Sequence, residues 1–317
     1  MREYIGIDIS KTSIDVYDGK KSYKFENNAT GFEATVALVD DIDKSIFIFE
    51  PTGVYSYALT QFCAQKRINI VMVGPKESRD FARSLKVRSK TDKIDAKVLY
   101  RYQAQIEPGM IKVPVVNHQG IKIQEMLNVY EGICSAAQKF KNQIESTSKE
   151  NKELLHTLKQ MIKDLEAQAL KLFNKIELTL LNDEKTKARY EAISTIPAIG
   201  QKSALYLTAF FLKYPMANAK EITALMGLDP MMRDSGTYRG KQKISKHGGQ
   251  QLRDLLYLPT LSALQYNDRI KVFYERLTSQ AKPKKSAVIA SMRKLVLMAF
   301  SIFNSLEVYR KLEVKAQ

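Results

Sequence analysis

Tyr4–Phe25 reads YIGIDISKTSIDVYDGKKSYKF, and its short runs decide the fold. Tyr4–Asp8, Ser13–Tyr17 and Lys21–Phe25 are three short runs with turn-forming residues between them. This pattern predicts three short strands joined by tight turns. Further along, Gly31–Val39 has helical spacing, Ser45–Phe49 (SIFIF) is continuously apolar, Val54–Lys66 is again helical, and Ile68–Val73 (INIVMV) is a second apolar run. Strands that begin antiparallel and then alternate with helices predict a mixed α/β sheet. Two helical stretches follow Pro75, the second over about Thr91–Gln105. Pro108 and Pro114 then break the pattern, so the first domain is expected at residues 1–108.

Residues 117–182 contain no proline, and only Gly120 and Gly132 interrupt them. Leu155, Leu158, Ile162, Leu165, Ala169, Leu172 and Ile176 are spaced alternately three and four apart, the seam of a coiled coil or a long helical hairpin. Extended backwards, the same phase reaches Cys134, Tyr130, Leu127 and Ile123 but meets Lys141, Ser148 and Asn151, which predicts a break or turn near 146–151. Such a segment spaces two domains and offers a contact between copies of the chain. Residues 186–317 form a third, mainly α-helical region with a polar, glycine-bearing insertion at Asp229–Gly249 and final helices over about Gln251–Tyr266 and Ser286–Glu307.

The chain has 317 residues, with 50 Lys and Arg against 34 Asp and Glu, a formal charge of +16 that favours a polyanionic partner. Nucleic acid leads over an anionic membrane surface, because the longest largely apolar run, Ala204–Leu212, is far too short to cross a bilayer. No secretory leader or membrane span is expected. Two distant cysteines and three scattered histidines make neither a disulfide framework nor a zinc cluster, consistent with a cytoplasmic protein.

Four acids stand out. Asp8 ends an otherwise apolar strand, where an unpaired charge is costly and calls for a partner or a metal. Glu50 ends the second apolar strand in SIFIFEPTG, whose Pro-Thr-Gly turns the chain away at once. Asp92 and Asp95, in KTDKIDAK, share one face of a predicted helix. Each acid alone also suits a turn, a cap or a solvated helix face. What distinguishes the helical pair is its setting: Lys76–Arg101 holds nine basic residues against four acidic ones. Arg79, Arg83, Lys86, Arg88, Lys90 and Lys93 are therefore candidate nucleic-acid contacts. Four carboxylates converging from two strands and a helix would hold Mg2+, as a pair of ions of the kind used in phosphoryl transfer.

In the C-terminal region, Ile193–Leu205 reads ISTIPAIGQKSAL, a helix end, a proline-containing hairpin and a new helix start. It resembles a helix-hairpin-helix DNA-binding element, with Ala198 where the first glycine of Pro-Gly-Ile-Gly usually stands. Gly200 and Lys202 are its candidate phosphate contacts, at a helix N-terminus. A plain helix turn is the alternative. From Arg233 to Arg253 the chain carries Arg233, Arg239, Lys241, Lys243, Lys246 and Arg253, with Asp234 the only acid in that stretch. Ser235 beside Gly236 is a turn residue by local chemistry, since a serine nucleophile needs a base or metal to take its proton. Tyr238 is a rival hydroxyl, and Gly248–Gly249 offers either an anion-binding turn or a simple helix entry.

The order of strands and helices, with acids on the first strand, the fourth strand and the last helix, resembles the ribonuclease H-like fold. More specifically, GIDISK, FEPTGVYS and KTDKIDAKVL resemble the DEDD domain of insertion-sequence-110-type transposases, which include pilin-gene inverting recombinases. RDSG, the basic stretch after it and GGQQLRDLLY are similar to the second domain of the same family. The resemblance implies that Asp8, Glu50, Asp92 and Asp95 are the metal ligands. It implies too that Ser235 is the nucleophile toward DNA in a site composed from both domains. Arg233, Arg239 and Lys241 are placed near the scissile phosphate by charge and proximity. A noncoding guide RNA encoded by the element, and a dimer or tetramer, are further implied. The rival readings are a junction-resolving or repair nuclease that uses water, and a nonenzymatic nucleic-acid-binding protein.

Overall fold

The computed structural model describes residues 2–85, 92–231, 234–235, 238–239 and 243–310; the side chains of Asp92, Lys93, Asp234, Ser235, Tyr238 and Arg239 lie outside that description. The chain divides into two compact units, Met1–Val116 and Asn117–Gln317.

The first unit is built on β1 (Glu3–Ile9), β2 (Ser13–Tyr17), β3 (Ser22–Glu26), α1 (Ala29–Val36), β4 (Ser45–Phe49), α2 (Tyr57–Lys66), β5 (Asn69–Met72), α3 (Pro75–Ser84) and α4 (Asp92–Arg101). The strand order is β3-β2-β1-β4-β5. The first three strands are antiparallel, and β4 and β5 run parallel to β1. The three opening strands, the two apolar strands and the intervening helices thus fall close to where the short runs and the helical spacing predict them. Every residue of β4 is buried, as its unbroken apolar run requires of a strand covered on both faces.

Strand alternation separates two cores. Ile5, Ile7 and Ile9 of β1 join Phe47 and Phe49 beneath Phe32, Leu59 and Phe62 from α1 and α2. On the other face, Ile46, Ile48, Val71 and Val73 pack with Leu99 of α4 and the following Tyr102. Gly6 permits this second layer: a Cβ there would lie 2.2 Å from the Ala96 carbonyl oxygen and 2.5 Å from the Tyr100 nitrogen. The backbone of α4 therefore lies directly on β1. At the far edge, Ile70 and Lys112 exchange backbone bonds of 2.9 and 3.2 Å, so the segment after Pro108 adds to the sheet of this unit.

The second unit begins with α5 (His118–Ser146) and α6 (Lys152–Leu181), an antiparallel hairpin turned at residues 147–151 and capped by Asn151. The seam residues Leu158, Ile162, Ala169 and Ile176 are buried, as are Ile123, Leu127 and Ala137 of α5. Lys141, which interrupts the apolar phase, pairs with Glu166 across the hairpin at 2.6 Å. The heptad spacing is thus satisfied within one chain, by a hairpin, and provides no separate argument for a second copy.

The hairpin base continues into the core of the remaining helices: Ile123, Leu127, Ile176 and Leu180 pack in one cluster with α7 (Glu184–Ser194), α8 (Gln201–Lys213), α9 (Ala219–Leu225), α10 (Gln250–Tyr266), α11 (Asp268–Ser279) and α12 (Lys284–Ser305). All of Ser203–Leu212 is buried, so the longest apolar run is the central helix of this core. Among the described residues, α12 alone is long and apolar enough to cross a membrane by length and composition; its inward face, including Leu295, Val296 and Ala299, is part of the same core.

Candidate carboxylate site and serine loop

Register places the first two acids together. Ile7 pairs with Phe49 in the parallel β1–β4 ladder, so Asp8 and Glu50 are the next residues along two adjacent strands; Glu50 lies just past the end of β4, whereas Asp8 does not end its strand as expected but sits inside β1, still paired with β2. Alternation directs both to the face carrying α4, since Ile7 and Phe49 fill the opposite core. Asp95 precedes Ala96, whose carbonyl lies against Gly6, so α4 brings it to the same face. Asp8, Glu50 and Asp95 are all partly buried. Asp92 opens α4, but its side chain lies outside the described residues. Among the described residues no three acids are close enough together to hold a metal ion, a set that leaves Asp92 out.

The donor chemistry nevertheless suits a hard divalent cation, because every acid offers carboxylate oxygen. In the same unit, Asn27 Oδ1 and Thr52 Oγ1 are buried without a hydrogen-bond partner. Thr52 lies two residues beyond Glu50, and Asn27 is bonded to the segment that follows Asp8.

One acid escaped the sequence reading. Asp15 of β2 is the Cα partner of Asp8 and only 4% exposed, and it meets Lys24 at 3.7 Å. Its signal was present in SIDVY, because Ile14 and Val16 face the opposite core and Asp15 must then share the α4 face with Asp8.

The basic candidates of this unit divide by what is described. Arg79 and Arg83 are exposed on α3, with Arg83 3.5 Å from Asp80. Lys86, Arg88, Lys90 and the side chain of Lys93 lie outside the described residues. Lys97, one turn beyond Lys93, places its ammonium 5.3 Å from the Tyr17 ring centre.

In the second unit α7 and α8 are joined by the turn at Ile196–Gly200. Ala198 adopts φ 76°, the left-handed conformation that glycine takes without strain. Gly200 caps α8 without a side-chain bond, leaving first-turn N–H groups for solvent or an anion. Lys202 is turned toward α5. Its ammonium lies 3.6 Å from Glu131 and within 4.9 and 5.6 Å of the Tyr130 and Tyr206 ring centres. Tyr206 donates to Glu131, and burial together with that carboxylate raises its pKa. Burial, reinforced by Glu177, pushes Tyr190 up to about 12.

Within the insertion β6 (Pro230–Met231) pairs with β9 (Lys243–Ile244), and β7 (Asp234–Ser235) pairs with β8 (Tyr238–Arg239). Ser245 follows β9, its N–H donating to the Asp229 carbonyl at 3.0 Å and its hydroxyl to the Asp229 carboxylate. The Arg253 guanidinium donates at 2.8 Å to both the Met226 and Gly248 carbonyls. Arg253 therefore braces the insertion, whereas Lys243 and Lys246 are exposed on it. Gly248 and Gly249 serve as the entry to α10: a Cβ on Gly248 would stand 2.0 Å from the Leu225 carbonyl oxygen.

Ser235 and Tyr238, which carry the two candidate hydroxyls, are backbone partners in the β7–β8 pair. Backbone pairing also sets Asp234 opposite Arg239. Arg233 and Lys241 lie outside the described residues.

Comparison with known proteins covers both units. Residues 5–150 match the profile of a DEDD transposase domain of the IS110 type, and residues 190–275 match that of the transposase IS116/IS110/IS902 family. The chain is 27% identical to the pilin gene-inverting proteins of Moraxella bovis and Moraxella lacunata, across 95% of its own length and 95% of theirs.

Proposed function

Because this chain belongs to the IS110 family of transposases, enzymes that recombine DNA, we propose that it cuts and rejoins strands through a covalent Ser235–DNA ester, with Mg2+ held by Asp8, Glu50, Asp92 and Asp95. The observation that carries the first half of this reading is the β1–β4 register, which sets Asp8 beside Glu50 on the face that α4 covers. The strand order β3-β2-β1-β4-β5, antiparallel and then parallel, supports a ribonuclease H-like reading of the first unit. The relatives are named for inverting a pilin gene, a rearrangement that requires both cleavage and rejoining.

Bound divalent cations would neutralise phosphate charge and lower the pKa of a coordinated hydroxyl. In the proposed step the Ser235 oxygen loses its proton and bonds the scissile phosphorus. The bond to the departing deoxyribose oxygen breaks, and that oxygen takes up a proton. Rejoining reverses the exchange, so the phosphodiester energy is kept in the serine ester and no external energy source is needed. Arg233, Arg239 and Lys241 are assigned to the phosphate charge. Arg79, Arg83, Lys86, Arg88, Lys90, Lys93, Lys243, Lys246 and the α8 N-terminus at Gly200 and Lys202 supply nucleic-acid affinity, in line with the +16 charge. A noncoding guide RNA, assembly as a dimer or tetramer and a cytoplasmic location complete the proposal.

The test is a denaturing gel of the full chain incubated with Mg2+, cognate RNA and labelled DNA. Wild type is expected to give a denaturation-resistant adduct, and Ser235→Ala none while still binding DNA. An adduct that persists in Ser235→Ala and vanishes in Tyr238→Phe transfers the role to Tyr238. Cleavage by Ser235→Ala at the wild-type rate replaces the recombinase with a water-using nuclease.

A further inference from the structure

A cavity of about 220 Å³ lies within the second unit, between α5, α8 and the start of α10. Its floor is apolar: Leu127, Tyr206, Phe210 and Leu252 line it, each less than a tenth exposed. Tyr214, half-buried, meets Phe210 edge-on with ring centres 5.1 Å apart. Leu225 and Gly249 close one end, where the Gly249 N–H donates to the Leu225 carbonyl at 3.3 Å. That bond stands at the root of the insertion that carries Ser235.

The rim is polar, made by Gln124, Asn128, Lys213 and Gln251. Gln124 Nε2 donates to Asn128 Oδ1 at 3.0 Å, which leaves one amide acceptor and one amide donor on the same face of α5. Reversing both amides leaves the same pair. Glu131 is the one acid of the wall, and it is already engaged by the Tyr206 hydroxyl and by the Lys202 ammonium at 3.6 Å. Lys213 is exposed, its ammonium 5.3 Å from the Tyr214 ring centre, and no carboxylate pairs with it among the described residues. The mouth of the cavity thus favours an anion.

These features select a ligand. Pockets for drug-sized molecules measure about 300–1,000 Å³, so this smaller one suits a single ring system. A free phosphate would leave the aromatic floor unfilled, whereas a purely apolar ring would leave the amides unused. A nucleobase uses both, since it has a face that stacks on aromatic side chains and an edge with adjacent donor and acceptor groups.

We propose that this cavity binds one unpaired nucleobase, its face against the aromatic side chains of α8, its edge on the Gln124 and Asn128 amides and its phosphate at Lys213. A paired base is hidden in its duplex, so the occupant is a single-stranded or flipped nucleotide. The inference rests on the nucleic-acid reading above and adds a base-binding site to it.

The test measures fluorescence anisotropy of the full chain with two labelled ten-nucleotide strands, oligo(dA) and a fully abasic strand with the same phosphates. Wild type is expected to bind oligo(dA) about tenfold more tightly. Gln124→Ala with Asn128→Ala, and separately Tyr214→Leu, should bring oligo(dA) toward the abasic affinity and leave abasic binding unchanged; Tyr214→Phe, which keeps the ring, should retain the preference. The unfolding temperature of the double variant should match wild type. Equal wild-type affinity for the two strands overturns the inference, as does a preference that survives in the double variant and in Tyr214→Leu. A parallel fall in both affinities and in unfolding temperature also overturns it, as the mark of a merely structural role. Repeating the series with oligo(rA) identifies the source, because the strand whose affinity the double variant lowers is the one that supplies the base. If neither strand binds at low salt, the nucleic-acid reading itself fails; if both bind equally well, only the cavity inference does.

Discussion

Asp8 and Asp15 stand opposite one another across the β1–β2 ladder, and Asp15 is almost completely buried there. Two carboxylates on neighbouring strands repel unless positive charge lies between or beside them. Lys24, more than half exposed and 3.7 Å away, supplies part of that charge for Asp15.

Asp15→Asn should therefore raise the Mg2+ concentration needed for half-maximal cleavage, by about tenfold, while the rate at saturating Mg2+ stays within a few-fold of wild type. A cleavage titration with Mg2+ measures both quantities. An unchanged midpoint would limit Asp15 to its pairing with Lys24.

Asp92→Asn and Asp95→Asn should each reduce cleavage more than about 100-fold, since even outer-contact changes at metal sites cost 10–100-fold. DNA affinity and its steep dependence on salt should be retained, because the basic residues that release counterions are untouched. Gel-shift titrations at several salt concentrations alongside cleavage rates separate these effects, and full turnover by either variant would remove it from the site.

Gly6→Ala puts a methyl group 2.2 Å from the Ala96 oxygen and 2.5 Å from the Tyr100 nitrogen, both backbone atoms. The helix must move as a body, at a cost of about 1–3 kcal/mol. Because α4 carries Asp92 and Asp95, cleavage should fall by more than the loss of folded protein explains. Urea unfolding and cleavage by the folded fraction test this, and an unchanged urea midpoint would refute the close approach.

Ala198→Gly should stabilise the second unit. The φ of 76° costs an alanine roughly 1–2 kcal/mol, against about 0.5–1 kcal/mol for the greater chain entropy of glycine. A net gain of up to about 1 kcal/mol is expected, read as a higher denaturant midpoint. A lower midpoint would mean that the hairpin tolerates alanine without strain.

Alkaline pH should weaken the fold through its buried tyrosines. Tyr190 is pushed up to about 12 by burial and by Glu177, and burial also raises Tyr130 and Tyr206. An acid whose folded pKa exceeds its ordinary value of about 10 keeps its proton in the folded state after the unfolded chain has lost it. Its stabilising contribution is therefore complete below pH 10 and declines as pH rises from about 10 toward 12. Denaturant unfolding across that range should show the decline, and Tyr190→Phe should make it shallower. Identical slopes in the two proteins would exclude Tyr190 as a contributor.

Local pattern carried much of this protein into view. The short runs of Tyr4–Phe25, set off by turn residues, and the apolar SIFIF and INIVMV runs specify strands, the latter because a strand covered on both faces needs no polar side. The polar interruptions at Lys141, Ser148 and Asn151 likewise locate the hairpin turn. Asp8 and Glu50 stood out because a charge beside an apolar run is conspicuous in one dimension, although Asp8 lies inside β1 and only Glu50 follows the end of its strand.

What only the tertiary structure decided is which surfaces meet. Periodicity shows that Leu158, Ile162 and Ile176 need a partner, but the partner proves to be α5 of the same chain, a choice made by the turn and by packing far along the sequence. The charge of Lys202 and Arg253 is plain in the sequence; their commitment to Glu131 and to the Met226 and Gly248 carbonyls is not. Asp15 looked like an ordinary polar strand residue until the β1–β2 register set it against Asp8. Register and helix docking arise from contacts between residues distant in sequence, so the chain alone indicates which face is apolar, and only folding determines what covers it.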